Sequence, residues 1–138
     1  MNSRILVIED NPANLELMVY LLDAYGYQTM TANDGLGGLA LARRERPDLI
    51  ICDVHLPGLN GYGMIAILKS EPALASIPVI AVTALAMVGD REKLLTAGFD
   101  GYISKPVEPE RFVGVIEQFL RSSHAGASEP GRAPHFPQ

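Results

Sequence analysis

Five polar residues stand directly behind short apolar runs. Glu9 and Asp10 follow Ile5-Leu6-Val7-Ile8, Asp53 follows Leu49-Ile50-Ile51-Cys52, Thr83 follows Pro78-Val79-Ile80-Ala81-Val82, and Lys105 follows Gly101-Tyr102-Ile103-Ser104. If the runs are neighbouring strands, three carboxylates, a hydroxyl and an ammonium meet at one edge. Carboxylates packed together repel, so some must take up protons unless a cation joins them. Mg2+ suits such a place, because it accepts few protein carboxylates, keeps several waters and takes a phosphate oxygen readily. A carboxylate can also attack phosphorus and form an acyl phosphate. The metal and a lysine such as Lys105 would offset the charge on the phosphoryl oxygens during that step.

Positioning these groups requires a regular frame, and the apolar pattern supplies one. The four runs read as buried strands, with a weaker one over Tyr27 to Ala32. Helical patterns lie between them. Asn11 and Pro12 form a helix start, with Leu15, Met18, Val19 and Leu22 at helical spacing and Gly26 as a stop. Asp34 can cap a second helix running to about Arg46, where Pro47 ends it. The turn Pro57-Gly58-Leu59-Asn60-Gly61 leads into a helix carrying Ile65 and Leu68. A fourth helix is expected from about Ala86 to Ala97, and a last one from Pro109 with Phe112, Val113, Ile116 and Leu120 inward. Apolar strands each followed by a helix imply an α/β fold, a five-stranded parallel sheet covered on both faces. Five strands are too few for an eight-stranded barrel, so the sheet should be open and doubly wound, with ligands beyond the carboxyl ends of the strands.

Composition bounds the remaining possibilities. The chain has 138 residues, 48% hydrophobic and 20% charged, with a formal net charge of -5. That favours one domain with a real core. The acidic balance, without any basic run, argues against nucleic acid as a partner. The first apolar run is too short for a signal-peptide core or a membrane span, so no membrane association and a cytoplasmic location are expected. The lone Cys52 fits a reducing compartment and reads as a small core residue. From Ser122 the apolar periodicity fades, so residues 1–121 read as the domain and 122–138 as a disordered tail or linker. His124 and His135 in that tail read as solvated.

Each site residue has a plainer reading. Glu9 and Asp10 could be a solvated strand end beside a helix N-terminus. Asp53 could be a turn former, Thr83 a cap, Lys105 a surface charge and Tyr102 a packing residue. His55 as an imidazole metal ligand has no second His or Cys at zinc-like spacing. Gly35-Leu36-Gly37-Gly38-Leu39-Ala40 fits a dinucleotide-binding glycine pattern, with Asp53 near the distance of a ribose-binding acid. That reading puts Asp34 against a pyrophosphate and leaves Glu9, Asp10, Thr83 and Lys105 without a role. Joint placement at the strand ends favours the phosphoryl chemistry.

The residues Glu9-Asp10, Asp53-Val54-His55-Leu56-Pro57-Gly58-Leu59-Asn60-Gly61, Thr83-Ala84 and Lys105-Pro106 resemble the response-regulator receiver domain over about Arg4 to Arg121. The resemblance implies a flavodoxin-like strand order 2-1-3-4-5. It implies that Asp53 is phosphorylated by a sensor histidine kinase or histidine phosphotransfer protein. Asp10 and Asp53 would be direct Mg2+ ligands, Glu9 would act largely through water, and the backbone carbonyl of His55 would be a further ligand. Thr83 would bind the phosphoryl group and turn inward, with Tyr102 following as an aromatic switch that alters a surface read by a downstream output protein or domain. Lys105 would contact the phosphoryl group, and the Lys105-Pro106 bond would be cis. His55 and Leu85, two residues beyond Asp53 and Thr83, stand where side chains govern access of water to the phosphoryl group. Leu56 replaces a frequent Met, a volume-conserving change. Such a chain catalyses its own phosphorylation and dephosphorylation and is not expected to turn over an external substrate. The alternatives are a phosphohydrolase using an Asp53 phosphoenzyme, with His55 as acid, and a receiver-fold adaptor that takes no phosphate.

Overall fold

A computed structural model describes residues 3–84 and 89–128, with side chains to 121. The readings for Leu85, His124 and His135, and the helix start at Ala86, fall outside those residues and side chains. Five strands and five helices alternate: β1 (Arg4–Ile8), α1 (Pro12–Ala24), β2 (Gln28–Ala32), α2 (Gly35–Glu45), β3 (Leu49–Asp53), α3 (Gly61–Ser70), β4 (Val79–Thr83), α4 (Asp90–Ala97), β5 (Gly101–Ser104) and α5 (Pro109–Ser128). The sheet is parallel throughout, in the order β2-β1-β3-β4-β5.

Side-chain alternation along the strands divides the core in two. Leu6, Ile8, Ile50, Cys52, Val79 and Ala81 pack with Leu39 and Ala42 of α2, Met64 and Leu68 of α3, and Leu94 of α4. Ile5, Val7, Leu49, Ile51, Ile80 and Val82 pack with Met18 and Leu22 of α1 and with Phe112 and Ile116 of α5. Both faces of β3 and β4 are therefore buried, which is why those segments are apolar without alternation. Complete burial of each such side chain contributes about 1.5–3 kcal/mol.

Local chemistry sets the helix ends. Asn11 caps α1, its Oδ1 accepting from the Asn14 N–H at 2.9 Å, with Pro12 in the first turn. At the other end the Tyr27 N–H donates to the Leu22 carbonyl across Gly26, whose φ is +85°. Tyr27 thereby belongs to the α1 cap, and β2 begins one residue later than the apolar pattern suggests. Asp34 caps α2, accepting from the Gly37 N–H at 2.7 Å. The glycine pattern is thus a capped helix start with its own carboxylate where a pyrophosphate would have to bind. Gly38 leaves room for Ile8, whose Cδ1 lies 2.5 Å from where a Cβ would stand. α5 continues past Ser122 to Ser128; the next proline is Pro130, so no ring breaks the helix before it.

The edge of the sheet opposite the acidic strand ends is tied by Lys69. Its ammonium donates to the carbonyls of Ala75 and Ile77 and to Asp100 Oδ2, each at 3.2 Å. Asp100 Oδ2 also accepts from the Val79 N–H at 2.8 Å. One lysine therefore joins α3, the approach to β4 and the approach to β5. Lys69→Met keeps the aliphatic stem but removes the donors, and should cost about 1–2 kcal/mol, at the low end for a partly solvated group. Urea unfolding should show a lower midpoint at an unchanged slope.

Candidate functional site

Strand order reverses direction between β1 and β3, and the crevice beyond their carboxyl ends is where open α/β sheets bind ligands. Glu9 and Asp10 leave β1 there, and Asp53 ends β3. One carboxylate oxygen from each of the three lies within 4.8 Å of the others. Successive residues of extended chain point opposite ways. Glu9 accordingly turns inward, 1% exposed, whereas Asp10 faces solvent. Asp53 is 2% exposed.

Lys105, just beyond β5, reaches across two strands to this pair. Its Nζ donates to Asp53 Oδ2 at 2.8 Å and lies 3.5 Å from Glu9 Oε1. Asp53 Oδ1 accepts from the His55 N–H at 2.9 Å, while the His55 side chain is exposed. Glu9 Oε2 accepts from the Asn11 N–H at 3.2 Å. Glu9 Oε1 is buried and accepts no hydrogen bond. The Lys105-Pro106 bond is cis, and the Lys105 N–H donates to the Thr83 carbonyl at 2.8 Å, joining the ends of β4 and β5. Thr83 is buried at the end of β4, one residue beyond the strand partner of Asp53.

Tyr102 stands apart from this cluster. It is 37% exposed and lines an open groove of about 310 Å³ with Arg91 of α4 and Arg111 and Val115 of α5. The chain therefore brings Glu9, Asp10, Asp53, Thr83 and Lys105 to one sheet edge, and leaves Tyr102 on the adjoining outer face.

The charges explain the protonation states. Burial raises the Glu9 carboxyl, Asp53 beside it raises it further, and together they bring it to about 7 against the Asn11 N–H and Lys105. Burial works to raise Asp53 as well, but Glu9, Lys105 and the His55 N–H outweigh it and hold the carboxyl below its ordinary value. Burial works to lower Lys105, and its two acidic neighbours more than offset this. Near neutrality Asp53 is an ionised carboxylate with Lys105 as its counter-ion, while Glu9 holds a proton in part. Burial, with the charges of Asp53 and Glu9, pushes the Cys52 thiol up to about 12, so it is an inert core residue.

Once Glu9 gives up its proton, three carboxylates face one ammonium, an imbalance of two charges that one divalent cation would cancel. The buried Glu9 Oε1, which accepts no hydrogen bond, and the all-oxygen donor set fit a hard cation. Two contributions are not visible in the motif itself. Asn11 serves Glu9 through its N–H and the helix start through its side-chain oxygen. Gly61 allows α3 to lie against β3, since a Cβ there would stand 2.6 Å from Val54 Cα and 2.9 Å from the Asp53 carbonyl oxygen. Its position directly after the cap Asn60 is the sequence signal, because a helix start needs no glycine for its backbone angles.

Known proteins resemble this chain in sequence and fold. The sequence pattern of the response regulator receiver domain matches residues 5–117. The polar-differentiation response regulator DivK of Brucella anthropi is 43% identical over 120 residues, covering 87% of this chain and 98% of that one. The receiver domain of a sensor histidine kinase from Pseudomonas aeruginosa PAO1, with a magnesium ion coordinated in its active-site cleft, superposes with a TM-score of 0.80 at 32% identity, over 87% of this chain and 98% of that one. The chemotaxis response regulator CheY4 of Vibrio cholerae shares the fold, with a TM-score of 0.82 at 24% identity over 86% of this chain and 99% of that one. By its pattern of residues, its fold and its relatives, the chain belongs to the response regulator receiver domain family of two-component signalling.

Proposed function

We propose that Asp53 accepts a phosphoryl group from a sensor histidine kinase or a histidine phosphotransfer protein, with Mg2+ bound beside it, and that the acyl phosphate alters a surface read by a downstream output protein or domain. The observation that carries this reading is the state of Asp53, a buried, ionised carboxylate held by Lys105 at 2.8 Å and by the His55 N–H at 2.9 Å. Those two donors aim the nucleophile. A carboxylate oxygen attacks phosphorus, the P–N bond to the donor histidine breaks, and its electron pair returns to the imidazole. Lys105 then lies beside the new phosphoryl oxygens. Asp10 and Asp53 would hold Mg2+ directly, with Glu9 acting largely through water and the His55 carbonyl as a further ligand. When bound, Mg2+ supplies charge neutralisation at the phosphoryl oxygens.

Thr83, at the end of β4, would turn its hydroxyl to the phosphoryl group, and the neighbouring strand β5 carries Tyr102 on the groove lined by Arg91 and Arg111. The switch is a two-state equilibrium biased by phosphorylation. The module serves its own phosphorylation and dephosphorylation and turns over no external substrate.

The test is incubation with acetyl phosphate or beryllofluoride, with and without Mg2+. The wild-type chain should gain one phosphoryl group, or show a beryllofluoride-induced spectral change, only with Mg2+. Asp53→Asn should abolish both. A response that survives Asp53→Asn refutes the reading, and an unresponsive wild type points to the adaptor alternative. Release of many phosphates per chain from a phosphate ester points to the phosphohydrolase.

A further inference from the structure

The loop between β3 and α3 carries His55; Val54 and Leu56 on either side of it are buried in the core, and Leu59, partly buried, packs against the same cluster. Leu59 lies between the first turns of α2 and α3, which share one face of the sheet. A Cβ on Gly63 would stand 2.6 Å from Leu59 Cδ1. A Cβ on Gly35 would overlap the Leu59 carbonyl oxygen and stand 2.9 Å from Leu59 Cβ. Gly61 closes the loop, its N–H donating to the Val54 carbonyl at 3.0 Å. Among the described residues, the glycines with positive φ are Gly26, Gly58, Gly89 and Gly98. Gly35, Gly61 and Gly63 are absent from that set, so their use here is space and not backbone conformation. Gly35 and Gly63 clear a seat for Leu59, the residue before the α3 cap Asn60, and Gly61 clears the approach of α3 to Val54.

We infer that Leu59 is a positioning residue for the phosphoryl transfer proposed above: seated between Gly35 and Gly63, it holds the β3–α3 loop so that the His55 N–H stays on Asp53 Oδ1. The inference rests on that reading for its purpose, but its geometry can be tested without phosphate. Leu59→Ala empties the seat. Gly63→Ala crowds it. Leu59→Val in the Gly63→Ala background removes the reach of the leucine tip and relieves the crowding.

Amide hydrogen exchange in the metal-free full chain separates positioning from general loosening, because the neighbouring Val54 N–H donates to the Val82 carbonyl of β4 and not within the loop. Leu59→Ala and Gly63→Ala should each speed exchange at His55 by about tenfold while Val54 changes by less than about twofold. The double variant should return His55 toward wild type, and Mg2+ affinity should follow the same order. Equal loosening of both amides, no change at His55, or a double variant worse than either single one would overturn the inference. If His55 responds as expected but the wild type neither binds Mg2+ nor takes a phosphoryl group, the proposed function fails and the positioning role stands.

Discussion

Replacing Lys105 with Met should slow phosphorylation of Asp53 by about a hundredfold, the usual loss when one preorganised charge-stabilising donor is removed, while Mg2+ binds more tightly. The two effects have opposite signs because the ammonium and the metal use the same carboxylates. Lys105 Nζ lies 2.8 Å from Asp53 Oδ2 and 3.5 Å from Glu9 Oε1. Without it, Asp53 and Glu9 lose a counter-charge, and the cation meets more unbalanced negative charge. Two unit charges 4 Å apart interact by about 4 kcal/mol near a protein surface, an upper bound that leaves ample room for a several-fold gain in affinity. Removing Lys105 also makes both carboxyls easier to protonate, and protons compete with the metal. The titration therefore belongs at pH 8 or above. Met keeps the apolar stem, so packing loss is limited. Isothermal titration for Mg2+ and a time course with acetyl phosphate give the two readings. Parallel loss of affinity and rate would mean that Lys105 merely supports the shape of the site.

This opposition of charges could be drafted from the sequence but not completed. The five site residues were legible because each follows an apolar run, and the parallel fold gathers the carboxyl ends of the strands. Strand order was not, because a buried apolar run looks alike in the centre of the sheet at β3 and beside it at β1 and β4. It came from family resemblance. Adjacent acids also look equivalent in sequence, yet Glu9 is buried and Asp10 is solvated, since the pleat turns them opposite ways. The roles of Gly35, Gly61 and Gly63 were hidden for a similar reason. A glycine used for space is recognisable only once the facing atoms, here Leu59 and Val54, are known. Tyr27 is a strand former by its own type, but its N–H belongs to the α1 cap. Residue propensity lost there to a helix-capping hydrogen bond.

The burial of Glu9 leads to the second large effect, a pH dependence whose sign reverses with metal. In the metal-free protein its carboxyl is raised to about 7 from an ordinary value of 4.5. The folded chain therefore keeps a proton that the unfolded chain releases as pH rises. The stability linked to that proton is complete below about pH 4.5, and is lost as pH climbs to about 7. A shift of this size corresponds to roughly 2–3 kcal/mol, counting some relaxation around the buried group. Glu9→Gln removes the titration. Without metal, the variant should gain stability over wild type at pH 8 by about that amount and match it near pH 4.5. Urea unfolding at the two pH values measures the difference. With Mg2+ the order changes. Binding to wild type displaces the Glu9 proton, so affinity should fall by up to about tenfold per pH unit below 7. The Gln variant should bind Mg2+ more weakly at pH 8 and vary far less with pH. Saturating Mg2+ should then stabilise wild type more than the variant, since only binding to the folded state adds stability. If wild-type Mg2+ affinity were flat between pH 6 and 8, Glu9 would be ionised before the metal arrives. The charge on the buried Glu9 carboxylate would then have to be balanced by Lys105, 3.5 Å from Oε1, and the Asn11 N–H.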